Sequence, residues 1–183
     1  ILPLIPDYKS NKLGIFILAI KKIEQFNFEL GGRYDYLDQR VATITRGIVK
    51  EIKRYHNNVS NIGLSGGAKY IFSNSLNLSY NIGLASRNPG INELYSFGLH
   101  QGVSGIEEGD PDLVREEAIK NTLSLSGKIN SKILYEILYF DQAIENYIFL
   151  NPQNQFRTTI RGSYPVFKYT QTRARILGLD FTS

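Results

Sequence analysis

Residues 62–84 read IGLSGGAKYIFSNSLNLSYNIGL. Ile62, Leu64, Ala68, Tyr70 and Phe72 alternate with Gly63, Ser65, Gly67 and Lys69, and after Ser73-Asn74-Ser75 the residues Leu76, Leu78, Tyr80, Ile82 and Leu84 alternate with Asn77, Ser79, Asn81 and Gly83. Side chains of an extended chain point to opposite faces with a period of two. The pattern therefore specifies two strands, each with an apolar and a polar face, joined by a hairpin of turn-tolerant residues.

The same period recurs on either side. In residues 27–36, Phe28, Leu30, Tyr34 and Tyr36 share one face while Asn27, Glu29, Arg33 and Asp35 share the other, and Leu123 and Leu125 alternate more weakly with Thr122, Ser124 and Ser126. Residues 13–22, 132–140 and 169–181 are read as further strands, with continuous apolar runs that leave their faces unassigned. Short turns join 13–22 to 27–36, 62–72 to 76–84, and 118–127 to 132–140, the last through Asn130-Ser131. Between these hairpins lie long polar stretches at residues 37–60, 87–115 and 142–165, expected to be irregular loops. Alternation of short and long connections is what a transmembrane β-barrel requires, with short turns in the periplasm and long loops outside. A soluble β-sandwich also alternates. Tyr34, Tyr36, Tyr70 and Tyr147 near strand ends suit an interfacial girdle, or simply follow strand propensity. Residues 110–118 read locally as a short helix capped by Asp110 with Pro111 at its first position, or as the end of a loop leading into a strand near Glu117.

Composition narrows the function. The chain has 183 residues, 42% of them hydrophobic, which suits a folded domain. It contains no Cys, Met or Trp, so disulfides, cysteine metal sites and a cysteine nucleophile are excluded. The net charge of +4 comes from basic residues scattered along the chain, not from one stripe interleaved with stacking aromatics, and nucleic-acid binding is not expected. The longest apolar stretch, residues 13–20, is far short of the ~20 residues a membrane-spanning helix needs. The chain opens at Ile1 with no signal-peptide pattern, and it is expected to be an excerpt.

Arg87-Asn88-Pro89, Glu93-Leu94-Tyr95, Gly98, His100, then Glu107, Gly109-Asp110, Leu113 and Glu116 form an ordered series. That series resembles the barrel region of TonB-dependent outer-membrane transporters. Leu30-Gly31-Gly32-Arg33-Tyr34-Asp35, Phe140-Asp141 with Asn146-Tyr147, and Gly178-Leu179-Asp180 are similar to further segments of that family, the last with Asp180 where Glu is more typical. The resemblance spans nearly the whole chain. It implies an all-β fold, about seven consecutive antiparallel strands of a larger barrel, 22-stranded in that family, with the plug domain and the barrel's last strands lying outside this excerpt. It also implies the outer membrane of a Gram-negative bacterium, active uptake of a scarce nutrient such as an iron-siderophore, haem, cobalamin or other metal complex, and energy delivered by TonB through the plug. Partners on this reading are that nutrient, the TonB complex, and outer-membrane lipid with its lipopolysaccharide. A passive porin, an adhesin-type barrel and a secreted sandwich that binds glycan or protein are the alternatives.

No enzyme chemistry is legible. His56 and His100 are the two histidines, and neither belongs to a nucleophile or metal-protease motif. No cofactor is expected. Candidate ligand-binding residues in the long 87–115 connection are Arg87, Asn88, Glu93, Tyr95, His100, Gln101, Glu107 and Asp110. Glu107, Glu108, Asp110 and Asp112 either offer oxygen ligands to a hard cation or make a solvated acidic loop. His100 either meets a metal chelate or is an ordinary polar loop residue, and Arg87 with Glu93 is read as an ion pair ordering the loop base. Arg40, Arg46, Lys50, Lys53 and Arg54 make residues 37–60 basic, which attracts anionic lipopolysaccharide or chelate, or serves solubility.

Overall fold

The computed structural model describes residues 4–44, 51–129 and 132–183. In chain order it contains β1 (Asp7–Ile23), β2 (Phe26–Ile44), β3 (Ile52–Ser73), β4 (Leu76–Arg87), the helix α1 (Ile91–Tyr95), β5 (Phe97–His100), a single 3-10 turn (Gln101–Val103), β6 (Gly105–Glu108), β7 (Glu116–Ile129), β8 (Ile133–Thr159) and β9 (Gly162–Thr182). All strands join one nine-stranded sheet in the order β1-β2-β3-β4-β7-β8-β9-β6-β5. Every pairing is antiparallel except β6 with β9. Without the short β5 and β6, the sheet consists of the long strands read from the sequence.

Register settles the faces. Phe28 opposes Ala68 and Ala68 opposes Tyr80; Leu30 opposes Gly66, which opposes Ile82; Leu64 opposes Leu84; Tyr70 opposes Leu78. Directly opposed residues share a face. Phe28, Leu30, Leu64, Leu78, Tyr80 and Ile82 therefore form one apolar surface, and Leu30 is 67% exposed on it. The opposite face carries Glu29, Arg33, Asp35, Ser65, Lys69 and Asn81 across the same strands. These apolar side chains are not packed into a dry core between two sheets, which removes the sandwich. β1 departs from the scheme: Phe16, Leu18 and Ile20 stand on the polar face.

The apolar band has the height of a membrane. From Phe26 to Tyr36 the strand runs about 33 Å at ~3.3 Å per residue, and at a tilt of ~40° this is about 25 Å tall. At the turn end the band is closed by an aromatic cluster, with Phe26 4.7 Å from Tyr70 and 5.6 Å from Phe28, and Tyr70 4.6 Å from Phe72. No helix is long and apolar enough to cross a membrane, which says nothing of strands.

Two of the three expected loops are corrected. Residues 37–44 and 52–60 continue the β2–β3 ladder, from Leu37 opposite Val59 to Ile44 opposite Ile52. Likewise β8 runs through residues 142–159 and turns back at Gly162, interrupted by bulges between Ile144 and Tyr147 and between Pro152 and Phe156. Above the membrane band the outer face no longer meets hydrocarbon, so the alternation set by two solvents disappears while main-chain pairing persists. Arg46, Lys50, Asn130 and Ser131 lie outside the described residues. The helical reading of residues 110–118 also yields. The Asp110 carboxylate accepts from the Asp112 amide at 3.1 Å, and only a turn forms before β7 begins at Glu116. The short helix forms instead at Ile91–Tyr95.

Candidate functional site

The third connection, residues 88–115, is a folded excursion that leaves the sheet where β4 ends and returns where β7 begins. Its base is held by polar side chains. Ser86 Oγ donates to the Ile62 carbonyl at 3.1 Å and accepts from the Ile62 amide at 3.2 Å, ending the β3–β4 ladder. Arg87 then reaches Glu116 Oε2 at 2.6 Å and Glu93 Oε2 at 2.9 Å. Glu93 also accepts from the Gly90 amide at 2.6 Å, satisfying one of the donors that open α1. Burial pushes the Glu116 carboxyl up, but hydrogen bonds from Arg87 and from the Ile148 amide outweigh it and leave the group below its usual range. On the returning side, the Gln171 carboxamide accepts from the Val114 amide at 2.9 Å and donates to the Val114 carbonyl at 2.7 Å, standing in for a neighbouring strand.

From this base the excursion turns over the polar face. Ile91, Leu94 and Tyr95 are buried with Val41, and Tyr55 and Leu113 pack against them. Each such side chain contributes about 1.5–3 kcal/mol on burial. Tyr95 stacks on Tyr55 at 4.9 Å, and its hydroxyl accepts from Asn57 Nδ2 at 3.1 Å. Gly109 passes directly beneath α1, where a Cβ would lie 2.5 Å from the Tyr95 nitrogen, so no larger residue fits.

The β5–β6 hairpin and the turn after it carry the acidic cluster, of which Glu107, Glu108 and Asp110 have internal partners. Glu107, 3% exposed, meets His100 Nδ1 at 2.6 Å and accepts from the Tyr169 hydroxyl at 3.1 Å. Burial pushes the Tyr169 phenol up, the nearby Glu107 charge adding to it against a hydrogen bond from Asn92. Glu108 pairs with Arg157 at 2.6 Å, and Asp110 pairs with Lys168 at 2.9 Å. Among the described residues no three His, Cys, Asp or Glu side chains gather as a metal site. The cation-site reading of the cluster is therefore not supported, and Glu107, Glu108 and Asp110 instead tie the excursion to β8 and β9.

Between the excursion and the upper part of β3 lies a pocket of about 620 Å³, lined by Gln39, Asn57, Asn88, Leu94, Tyr95 and Leu113 among others. Because β4 ends at Arg87, residues 56–60 of β3 line this pocket with their unpaired edge. Asn88 Nδ2 is buried without a hydrogen-bond partner among the described residues. Of the eight sequence candidates, Asn88 and Tyr95 line the pocket. Arg87 and Glu93 hold the base, Glu107 and His100 hold each other, Asp110 holds Lys168, and Gln101 is exposed in the 3-10 turn. Gln39 and Asn57 were not legible as site residues. They belong to a polar run without a local motif, and only the β2–β3 pairing brings them under the excursion.

Residues 3–183 match the family described as TonB dependent receptor-like, beta-barrel. The chain belongs to this family. The TonB-dependent receptors are outer-membrane barrels of Gram-negative bacteria and are not enzymes. Membership sets aside the porin and adhesin alternatives. No curated protein matches the chain. Among solved structures, it is similar to a double mutant of the Serratia marcescens hemophore receptor HasR in complex with its hemophore HasA and heme, at 16% identity and TM-score 0.79, covering 97% of this chain and 32% of that one. It is also similar to the copper transporter OprC, at 17% identity and TM-score 0.74, covering 96% of this chain and 26% of that one. The ferric-catecholate import receptor Fiu from K12 E. coli follows at 15% identity and TM-score 0.61, covering 95% and 25%. The chain thus spans about a third or less of each of these three solved proteins.

Proposed function

We propose that this receptor segment forms one wall of the extracellular capture surface through which a scarce nutrient, taken up as an intact metal chelate or haem, enters an energy-driven transporter. On this reading the segment is part of a larger barrel, a plug domain outside these residues completes the site, and TonB supplies energy through the plug. The carrying observation is the pocket under the excursion, where carboxamides from Gln39, Asn57 and Asn88 stand beside the apolar Leu94 and Leu113 and the aromatic Tyr95. Carboxamides donate and accept without charge, a lining that suits the outer shell of an organic chelate better than a bare ion. The solved relatives support a metal-related cargo, since their names refer to heme, copper and a ferric catecholate.

The test is equilibrium binding of haem and of a ferric catecholate to the full-length receptor carrying both Asn57→Ala and Asn88→Ala. Losing two pocket hydrogen bonds, each worth about 1 kcal/mol, should weaken the bound chelate roughly tenfold or more, with barrel insertion unchanged. Unaltered affinity for every chelate that the parent receptor binds would move capture away from this pocket.

A further inference from the structure

Above the band, β3 has a strand neighbour on one side only. Its ladder with β2 continues from Ser60 opposite Tyr36 to Ile52 opposite Ile44, whereas its ladder with β4 ends at Gly63 opposite Ala85. At Ile62 both the amide and the carbonyl face the β4 side, where Ser86 Oγ meets them at 3.2 and 3.1 Å. Main-chain groups return to the same edge with every second residue, so Ser60, Asn58 and His56 present theirs in that direction at a spacing of ~6.7 Å. Among the described residues no main-chain partner meets the edge at these positions. The edge opens into the pocket of about 620 Å³, whose lining from the excursion includes Asn88, Pro89, Pro111, Leu113 and Val114.

An open strand edge is a template for one more strand. The side chains beside it add uncharged donors and acceptors. Asn88 Nδ2 is buried without a hydrogen-bond partner among the described residues, and Asn57, whose Nδ2 donates to the Tyr95 hydroxyl at 3.1 Å, keeps its carbonyl oxygen for a ligand. A flat macrocycle or an aromatic chelate carries no row of amides at strand spacing and would leave this edge unsatisfied, whereas a peptide carries one. From this edge we infer that the cargo of the pocket is a metal chelate built on a short linear peptide, whose extended backbone adds to β3 as an extra strand beside Ser60, Asn58 and His56. The inference rests on the capture reading and narrows it to one class of ligand. Main-chain pairing supplies affinity, while the side chains of Asn57, Asn88, Leu94 and Tyr95 select among peptides.

The experiment measures equilibrium binding, to the full-length receptor, of the ferric complex of a synthetic linear peptide that bears hydroxamate side chains. Two further probes keep the same hydroxamates, one N-methylated at every odd backbone amide and the other at every even one. An extended peptide turns alternate amides towards β3. Each lost main-chain hydrogen bond is worth about fivefold, so one methylated probe should bind roughly twentyfold more weakly than the parent peptide and the other within about twofold of it. On the receptor, Asn58→Pro removes an amide that faces the open edge and spares the ladder with β2, a position where strands tolerate proline. It should weaken the peptide chelate about fivefold. Heat-modifiable electrophoretic mobility verifies insertion, and the methylated probes test the edge on the parent receptor if this variant does not insert. Equal binding of the two methylated probes overturns the inference, as does absence of binding by the peptide chelate. So does protection of the Asn58 and Ser60 amides from hydrogen exchange in the ligand-free receptor, which would place another loop of the receptor on the edge. If haem or a ferric catecholate binds through Asn57 and Asn88 while the peptide chelate does not, this inference falls and the capture reading stands. If none of these chelates binds, both fall.

Discussion

Arg87 closes the mouth of the excursion with one guanidinium shared between Glu93, six residues on, and Glu116, on the returning strand. Half-exposed ion pairs are worth about 1 kcal/mol or less after solvent screening, so Arg87→Ala should loosen the excursion without unfolding the sheet. Amide exchange in residues 88–115 should accelerate about fivefold while β2 and β3 are unchanged. Uniform acceleration across the barrel would contradict a local role. The linkage to pH has a definite sign. Glu116 titrates below its unfolded value, so its stabilisation is complete above about pH 4.3 and is lost as pH falls through the lower folded value. Proteolytic nicking of the excursion should therefore increase on the acid side of that window, and an increase between neutrality and pH 5 would contradict it. The Arg87–Glu93 pair was legible in the sequence. Glu116 and Gln171 as its supports were not, because both act across strands that sequence proximity does not join. His100 and Glu107 looked free for ligand for the same reason: whether a carboxylate is available is set by its neighbours in space.

The strands β2, β3 and β4 were legible with their faces because each separates two solvents, lipid and lumen, and that difference is written into every second residue, whereas the continuous apolar run of β1 marks a strand without marking its faces. On β4 the faces lead to unequal substitution costs that depend on depth. Leu78 opposes Tyr70, inside the aromatic cluster near the turn, so the middle of the band on β4 lies nearer Tyr80 and Ile82. Ile82→Arg should cost about 2–4 kcal/mol of barrel stability in lipid, and Leu78→Arg about 0–1 kcal/mol. Asn81→Arg, which faces the lumen, should cost little. Comparable losses for Ile82→Arg and Asn81→Arg, measured by equilibrium unfolding from bilayers, would contradict the assigned faces. Beyond the band the β2–β3 and β8–β9 extensions were invisible as strands. Their outer faces no longer meet hydrocarbon, so their polar composition matches that of loops and only main-chain pairing distinguishes them.

At the scale of the molecule, scaffold and excursion are separable. β4 and β7 pair with each other from Leu76 opposite Gly127 to Arg87 opposite Glu116, closing the sheet beneath the excursion. Deleting residues 98–105 should therefore leave insertion of the full-length receptor intact while weakening chelate binding, because the β5–β6 hairpin that braces α1 through Asn92, Tyr169 and Glu107 is lost. Failure of the deleted receptor to insert would show that the hairpin belongs to the scaffold. By itself the sequence determined the all-β class, the strands of the band, the lipid and lumen faces of the alternating strands β2, β3 and β4, and the position of the long central excursion, since each follows from residue periodicity against two solvents or from turn chemistry. Only the tertiary structure decided that the excursion folds inward, that Glu107, Glu108 and Asp110 are held by internal partners, and that Gln39 and Asn57 meet Asn88 at one pocket. Those arrangements depend on strand register and on side chains meeting from distant strands, and no local pattern carries that information.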